Sequence, residues 1–399
     1  MRLCLLTGEY PPLQGGVGDY TACLAAALAG PGSGADMDVH VVTGASSEAA
    51  PPLAGVTVHR VVQRWDWGAW SVVRQVVLGL TPDVVHVQYQ AAAYGLHPLA
   101  NALPWLVHRL PGRPRVVTTF HDLLFPYLFP KAGPLRFQAV LAMARISDAV
   151  IVTNREDEAR LNSHRGLPPV SFIPIGSNIV VAPPPGFDRA AYRAGLGVAP
   201  EETLLCYFGF VSAAKGGETL VRALALLNQA QGDSPTAFRL MMVGGQVGDS
   251  DPTNQAYLAR VQALARELGQ ADRLLWTGYA DAQETSARLL AADIAVLPYL
   301  EGANLRHGSL HACLAHGLPV VTTRPPAGGP PSALTDGENA VLVAAGDPRA
   351  LAQAVASLAD DPGRRARLGK GAASLARQFT WDGIAARHRQ VYSLTPVPG

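Results

Sequence analysis

One rhythm runs through this 399-residue chain: a short run of consecutive apolar residues, then a helix-length stretch rich in Ala and Leu. RLCLLTG (2–8), DVHVVTG (38–44), VTVHRVV (56–62), DVVHVQY (83–89), RVVTTFH (115–121), AVIVTN (149–154) and VSFIPIG (170–176) read as strands, with helical patterns such as 20–29 and 135–147 between several of them. A strand that is apolar at successive positions is apolar on both faces, because side chains alternate across the pleat. Helices covering both sides bury such a sheet, and parallel strands need those crossovers. At SNIVVAPPPGFDRAAYRAGLGVAP (177–200) the rhythm pauses, and Pro183-Pro184-Pro185-Gly186 breaks regular structure. It resumes with TLLCYFGF (203–210), FRLMMVGG (238–245), RLLWTGY (273–279), DIAVLPY (293–299) and LPVVTTRP (318–325). The expectation is an α/β chain of two doubly wound parallel-sheet domains facing a central cleft. The length agrees, since single cores stop growing beyond roughly 250–300 residues. Ligands of such sheets bind at the carboxyl ends of the strands, so the loops there are the places to search.

Composition narrows the partners. A formal net charge of +1 supplies no field for nucleic acid or another polyanion. Cys4, Cys23, Cys206 and Cys313 lie far apart with no CxxC pair, and read as small core residues in a reducing compartment. The opening apolar run stops at Thr7-Gly8-Glu9, too short for a signal peptide, and no apolar run is long enough to span a bilayer. The reading is a cytoplasmic protein.

Two loops carry candidate chemistry. Between the first strand and the first helix stands EYPPLQGGVGDY (9–20). Glycines at Gly15, Gly16 and Gly18 let backbone amides approach an anion or a sugar, and the following helix presents its positive end. A tight strand-to-helix turn is the plainer alternative. A dinucleotide fingerprint fails, because the third glycine of GxGxxG is missing. Lys215 follows TLLCYFGF and precedes a helix. A cation at the positive end of a helix is unfavourable unless an anion joins it, so the lysine reads as a partner for a departing phosphate, or else as a solvated residue.

With these stretches in order, the chain resembles the retaining nucleotide-sugar-dependent glycosyltransferases of family 4, which have the GT-B fold. The resemblance rests on EYPPLQGGVGDYT (9–21), TTFHD (118–122), VTNREDEARL (152–161), FIPIGSN (172–178), YFGFVSAAKGGETLVRAL (207–224), ADIAVLPY (292–299), LAHGLPVVTT (314–323), LTDGENAVLVAAGD (334–347) and FTWDGIAARHRQVY (379–392). It implies an acceptor-side domain over 1–180, joined by a crossover helix at 379–393, and a nucleotide-sugar-binding domain over 200–378. Gly15 and Gly16 would meet donor or acceptor. Lys215 would stabilise the leaving diphosphate, and His121 would lie beside the reacting sugar, its alternative being a histidine that caps a strand end. The helix tip at Gly308-Ser309-Leu310 would hold phosphate.

In one loop the chain departs from the family pattern. Two glutamates separated by seven residues are usual; here His311 occupies the second position and Glu301 lies too far upstream for the first. Glu301 becomes the candidate sugar-side carboxylate and His311 a candidate ribose contact. A solvated loop acid and a satisfied helix histidine remain the alternatives. Phe210 stands where an arginine is usual, and Arg306 is the candidate replacement, gripping the diphosphate bidentately. Asn154 reads as a helix N-cap and Asp122 as a turn cap. Trp65, Trp67 and Trp70, with 125–129 (FPYLF), read as packing aromatics that could instead meet an acceptor or a membrane surface.

The implied activity is metal-independent transfer of a hexose from a nucleoside-diphosphate sugar, with retention, to a sugar or lipid-linked acceptor in carbohydrate biosynthesis. No resident cofactor is expected, only the donor substrate and a nucleoside diphosphate product. Peripheral contact with the inner membrane face is compatible with it. A degenerate GT-B binder is the principal alternative. A sugar-nucleotide epimerase ranks lower, and a nicotinamide dehydrogenase lowest, because no acid directly ends the second strand and Glu48 lies beyond it.

Overall fold

The computed structural model describes residues 1–13, 15–30, 37–46, 52–123, 135–230, 237–244, 252–326 and 332–394. Residues 125–129 and Glu48 therefore lie outside the described residues. The chain divides into two units, Met1–Gly176 with Phe379–Gly399, and Ser177–Gln378.

In the first unit, β1 (Arg2–Thr7), β2 (Asp38–Gly44), β3 (Val56–Val62), β4 (Val84–Tyr89), β5 (Arg115–Phe120), β6 (Ala149–Val152) and β7 (Val170–Phe172) form one sheet in the order β3-β2-β1-β4-β5-β6-β7. Every pairing is parallel. The consecutive apolar pattern is explained by the packing. In β1, Cys4 and Leu6 enter the core on one face with Val87, Phe120 and Leu103, while Leu3 and Leu5 enter the other with Leu24, Val117 and Ile151. The second face is completed from the far end of the sequence, where the helix Trp381–Leu394 contributes Ile384, Ala385, Val391 and Tyr392. That helix returns to the first unit, where the crossover was expected.

The second unit repeats the plan with β8 (Thr203–Phe208), β9 (Phe238–Val243), β10 (Leu274–Trp276), β11 (Ile294–Leu297), β12 (Val320–Thr323) and β13 (Val341–Val343), in the order β10-β9-β8-β11-β12-β13 and again all parallel. Strand order reverses between β1 and β4 in one unit and between β8 and β11 in the other. Such switch points open a crevice at the carboxyl ends of the strands. Side-chain caps fix where the helices begin: Asp281 accepts from the Glu284 amide at 2.8 Å and Asp347 from the Ala350 amide at 3.0 Å. Each satisfies a donor that the first helical turn leaves open.

Two differences from the sequence reading have physical causes. β13 was not read as a strand: it sits in the apolar run AVLVAA (340–345), which periodicity alone does not tell from a helical segment. The Pro-rich stretch is not a plain break either. Asp188 caps a helix over Arg189–Gly195, and the buried Arg193 bonds the Ala291 carbonyl at 3.0 Å and Asp293 at 2.8 Å. That pairing carries the stretch into the second unit. Among the described residues, no helix is long and apolar enough to cross a membrane.

Candidate functional site

The site is assembled at the β8/β11 switch point of the second unit. After β8 the backbone turns at Gly209, whose φ of +118° is a conformation side chains rarely allow. A Cβ at that position would sit 3.2 Å from Lys215 Nζ and 3.6 Å from Ser309 Cβ, so the ammonium, the glycine and the helix tip converge. The lysine loop is tied to the loop after β11. The Leu300 amide donates to the Ala214 carbonyl at 2.8 Å, and Gly216, at φ +71°, packs so closely on the Pro298 carbonyl that a Cβ would collide with it.

Among the described residues no acceptor pairs with Lys215. Burial drives its pKa from 10.5 down to about 8, which leaves a cation short of solvent and in want of an anion. The helix Gly308–Ala315 supplies the complementary half. Its Leu310 and His311 amides already bond the His307 carbonyl, at 3.0 and 3.3 Å, whereas those of Gly308 and Ser309 have no acceptor among the described residues. Leu310 itself is fully buried core.

Sequence reasoning passed over two side chains that shape this pocket. Tyr299, buried at the end of β11, bonds Ser309 Oγ through its hydroxyl at 2.8 Å. His307 stacks flat on the Tyr299 ring, with centroids 3.9 Å apart and planes inclined by 7°. Burial, then the charges of Arg306 and Lys215, hold His307 near a pKa of about 3, so its ring is neutral. The signal available was a lone aromatic after an apolar strand, which reads equally well as core.

The departing loop resolves in part. Arg306 pairs with Glu301 at 3.5 Å, and the Glu301 side chain is 72% exposed. Glu301 thus stands in solvent with a cation beside it. His311 is buried and its Nε2 lies 2.8 Å from the Leu305 carbonyl, so this nitrogen carries the hydrogen and donates to the loop. This nitrogen holds the loop, as the satisfied-histidine alternative has it. Burial lowers the His311 pKa to about 4.

In the first unit the glycine pair finds a different explanation. Glu9 Oε1 accepts the Val17 and Gly18 amides at 3.1 and 3.3 Å. The chain's own carboxylate thus takes two amides of this helix tip, those of Val17 and Gly18, next to the glycine pair Gly15 and Gly16. A Cβ on Gly15 would collide with that carboxylate, whereas one on Gly16 would meet nothing. Burial raises the Glu9 pKa, and the two amides counteract it.

His121 follows β5 and stands edge-on to Tyr20, with ring centroids 4.7 Å apart. Its Nε2 lies 3.0 Å from Gln88 Oε1, which makes that nitrogen the donor and leaves Nδ1 unprotonated. Burial, with a smaller contribution from His388, lowers its pKa to about 3. Behind it runs a buried polar chain. Gln88 contacts His86, whose nitrogens meet Tyr392 OH at 2.8 Å and Thr119 Oγ1 at 2.7 Å, and His388 meets Tyr20 OH at 3.2 Å. Asn154 caps its helix, accepting from the Asp157 amide at 2.7 Å, and Asp122 accepts from Gln90 at 3.1 Å. Trp65 is buried and Trp70 packs against the core, whereas Trp67 is 58% exposed. Among the described residues, no group of three or more His, Cys, Asp or Glu is placed to hold a metal ion.

A doubly wound sheet with an open helix tip and an unpaired lysine at its switch point defines an anion-binding class of α/β protein. Comparison makes the class specific. Residues 14–179 match the glycosyltransferase family 4 model and 188–375 the glycosyl transferases group 1 model. The chain belongs to this family of glycosyltransferases, and its fold is GT-B.

It is similar to a D-inositol 3-phosphate glycosyltransferase of Xylanimonas cellulosilytica, 32% identical over 62% of this chain and 57% of the relative. A second such enzyme, from Streptomyces bingchenggensis, is 28% identical over 98% of this chain and 89% of its own. The match thus spans little more than half the length of the first of these relatives. Among solved structures, sucrose-phosphate synthase from Thermosynechococcus elongatus aligns over 98% of both chains with a TM-score of 0.75 at 23% identity. Anabaena HepE in complex with UDP-glucose aligns over 98% of this chain and 99% of its own, with a TM-score of 0.73 at 19% identity.

Proposed function

We propose that this chain transfers a hexose from a nucleoside-diphosphate sugar to a hydroxyl acceptor, with retention and without a metal ion. The observation that carries the reading is the convergence of Lys215, Gly209 and the Gly308–Ser309 tip. Departure of a diphosphate is the largest electrostatic demand of the reaction, and a positioned ammonium beside two open amides meets it. The relatives that act on inositol 3-phosphate and the neighbour that holds UDP-glucose make a uridine donor and a phosphorylated polyol acceptor the first to try.

In this scheme the diphosphate lies on the Gly308 and Ser309 amides and against Lys215, and its arrival stabilises the ammonium form and raises the lysine's pKa. Arg306 extends the cationic surface. His121, neutral and with Nδ1 unprotonated, accepts a hydrogen bond from a sugar hydroxyl and does not act as an acid. The acceptor hydroxyl passes its proton to the departing phosphate on the same face, so no protein base is required. Glu301 is proposed as the sugar-side carboxylate once Arg306 turns to the donor. A lipid-linked acceptor, contact with the inner face of a membrane and a cytoplasmic location remain part of the proposal, with Trp67 one of the exposed aromatics available for such contact.

Purified protein is screened against nucleoside diphosphates and their sugars for a rise in Tm, then assayed for transfer with the donors that bind. A donor that stabilises the protein and is consumed faster with a polyol phosphate present supports the reading. Binding without turnover for every donor and acceptor favours a degenerate binder, and release of an epimerised nucleotide sugar without acceptor favours an epimerase.

A further inference from the structure

At the amino ends of the strands in the first unit lies a cavity of about 480 Å³, on the opposite edge of the sheet from Glu9 and His121. Its walls include the apolar Val77, Leu78 and Leu110 together with Asp83, Arg113 and Arg115. Arg115 opens β5 and is only 8% exposed, yet its Nε and Nη2 are sealed from water with no hydrogen-bond partner. A buried guanidinium is costly unless its N–H groups are paired.

The carboxylates around it are already engaged. Asp148, whose charge reaches Arg115, accepts from His108 Nε2 at 2.9 Å and the Val116 amide at 2.7 Å. Asp83 accepts the Arg2 amide at 2.7 Å. The backbone of the cavity wall is also unusual. Three non-glycine residues among those described have positive φ, and two of them, Thr81 at 45° and Arg113 at 34°, line this cavity. Thr81 caps the end of the helix Ala69–Leu80, its amide on the Val77 carbonyl at 3.0 Å, and the Arg113 amide closes a turn on the Leu110 carbonyl at 3.1 Å, so the wall is held by its own backbone.

We infer that this cavity is a second ligand site, independent of the donor site, for a small molecule with an oxyanion head and an apolar body. Arg115 takes the head, a carboxylate or a phosphate, in the bidentate fork that a guanidinium presents, once the side chain turns its sealed Nε–Nη2 edge into the cavity. Val77, Leu78 and Leu110 take the body. The volume lies within the ordinary range for small-molecule pockets.

The test uses the full chain carrying Lys215→Ala, which removes the cation of the donor site, so that its outcome does not depend on glycosyl transfer. Tm is followed against acetate, hexanoate and inorganic phosphate at constant ionic strength. The inference predicts a rise on the order of 5–10 °C at a hundredfold excess over Kd for at least one of them. Hexanoate acting at lower concentration than acetate identifies a carboxylate with an apolar tail, and phosphate acting at the lowest identifies a phosphate head. Adding Arg115→Met abolishes the rise and leaves the anion-free Tm unchanged or higher, since an unpaired buried charge has been removed. Arg115→Lys keeps the charge, loses the fork and shrinks the rise, and it carries the test should Arg115→Met not fold. Equal responses with and without the Arg115 substitutions, or no response to any of the three anions, overturn the inference.

Discussion

At the scale of single residues, the account turns on whether a charge has a partner. Lys215 has no acceptor among the described residues, and burial brings its pKa down to about 8. Charging it in the folded chain is costly below that pH, and the cost fades as pH rises from about 8 toward the ordinary 10.5 of the unfolded chain, so this group makes stability increase across that window. A bound diphosphate reverses the preference. Nucleotide affinity is therefore expected to fall as pH rises above about 8, with proton uptake on binding, as read by calorimetry in buffers of different ionisation enthalpy. Lys215→Ala is expected to lower turnover roughly 10²–10³-fold, the scale of losing one transition-state charge partner. Glu9 shows the opposite case, a carboxylate sheltered by amides. Gly15→Ala forces a methyl into it and is expected to cost about 1–3 kcal/mol in urea unfolding. Combined with Glu9→Ala the two costs are expected to fall short of their sum, because the second substitution removes what the methyl strikes. Lys215 was visible in the sequence because a cation at a helix start asks for an explanation. Glu9 was not, since nothing in EYPP announces that its carboxylate folds back onto amides eight and nine residues later.

Between elements, two helix tips that read alike in sequence differ in the folded chain. The helix Gly16–Ala29 begins capped by Glu9, whereas Gly308–Ala315 begins with two amides open. The sequence marked both as anion sites, one by its glycines and one by resemblance, and did not distinguish them, because the difference lies in a side chain supplied from just beyond the preceding strand. Most strands were legible as short apolar runs, β7 and β10 at three residues among them, whereas β13, of the same length, was passed over. The helix Trp381–Leu394 was placed by resemblance, and its packing gives the reason: Ile384 and Tyr392 fill one face of the first sheet, and Tyr392 OH completes His86. A chain ending at Gln378 is expected to leave that face bare, with no cooperative unfolding transition for the first unit in circular dichroism or calorimetry. Recovery of that transition when the 379–399 peptide is added would show that docking alone restores it.

For the whole molecule, titration follows from burial. His86, His121 and His388 in the first unit and His307 and His311 in the second all have pKa values pushed below 6.5, first by desolvation. A histidine held neutral in the fold contributes stability that is intact above the unfolded value of 6.5 and is lost as pH falls toward the folded value. Unfolding free energy is thus expected to drop steeply between about pH 6 and pH 4, with a slope up to about 1.4 kcal/mol per pH unit for each such histidine. Chemical denaturation across that range measures it, and a flat profile would contradict the burial described. The two-sheet plan was readable from apolar runs and their spacing, whereas the switch points follow from a strand order that spacing does not give. The stack of His307 on Tyr299 was not readable, because it depends on how one short loop folds back on itself, while a solvated Glu301 stood as one of two open readings. The central claim is that a sugar donor leaves its diphosphate between the Gly308 and Ser309 amides and the Lys215 ammonium. A crystal structure with the nucleoside diphosphate that most raises the Tm tests it most directly. Phosphate oxygens within hydrogen-bond distance of Lys215 Nζ and of those two amides are the predicted result. Phosphates lodged over the Glu9-capped helix, or away from Lys215 altogether, would contradict it.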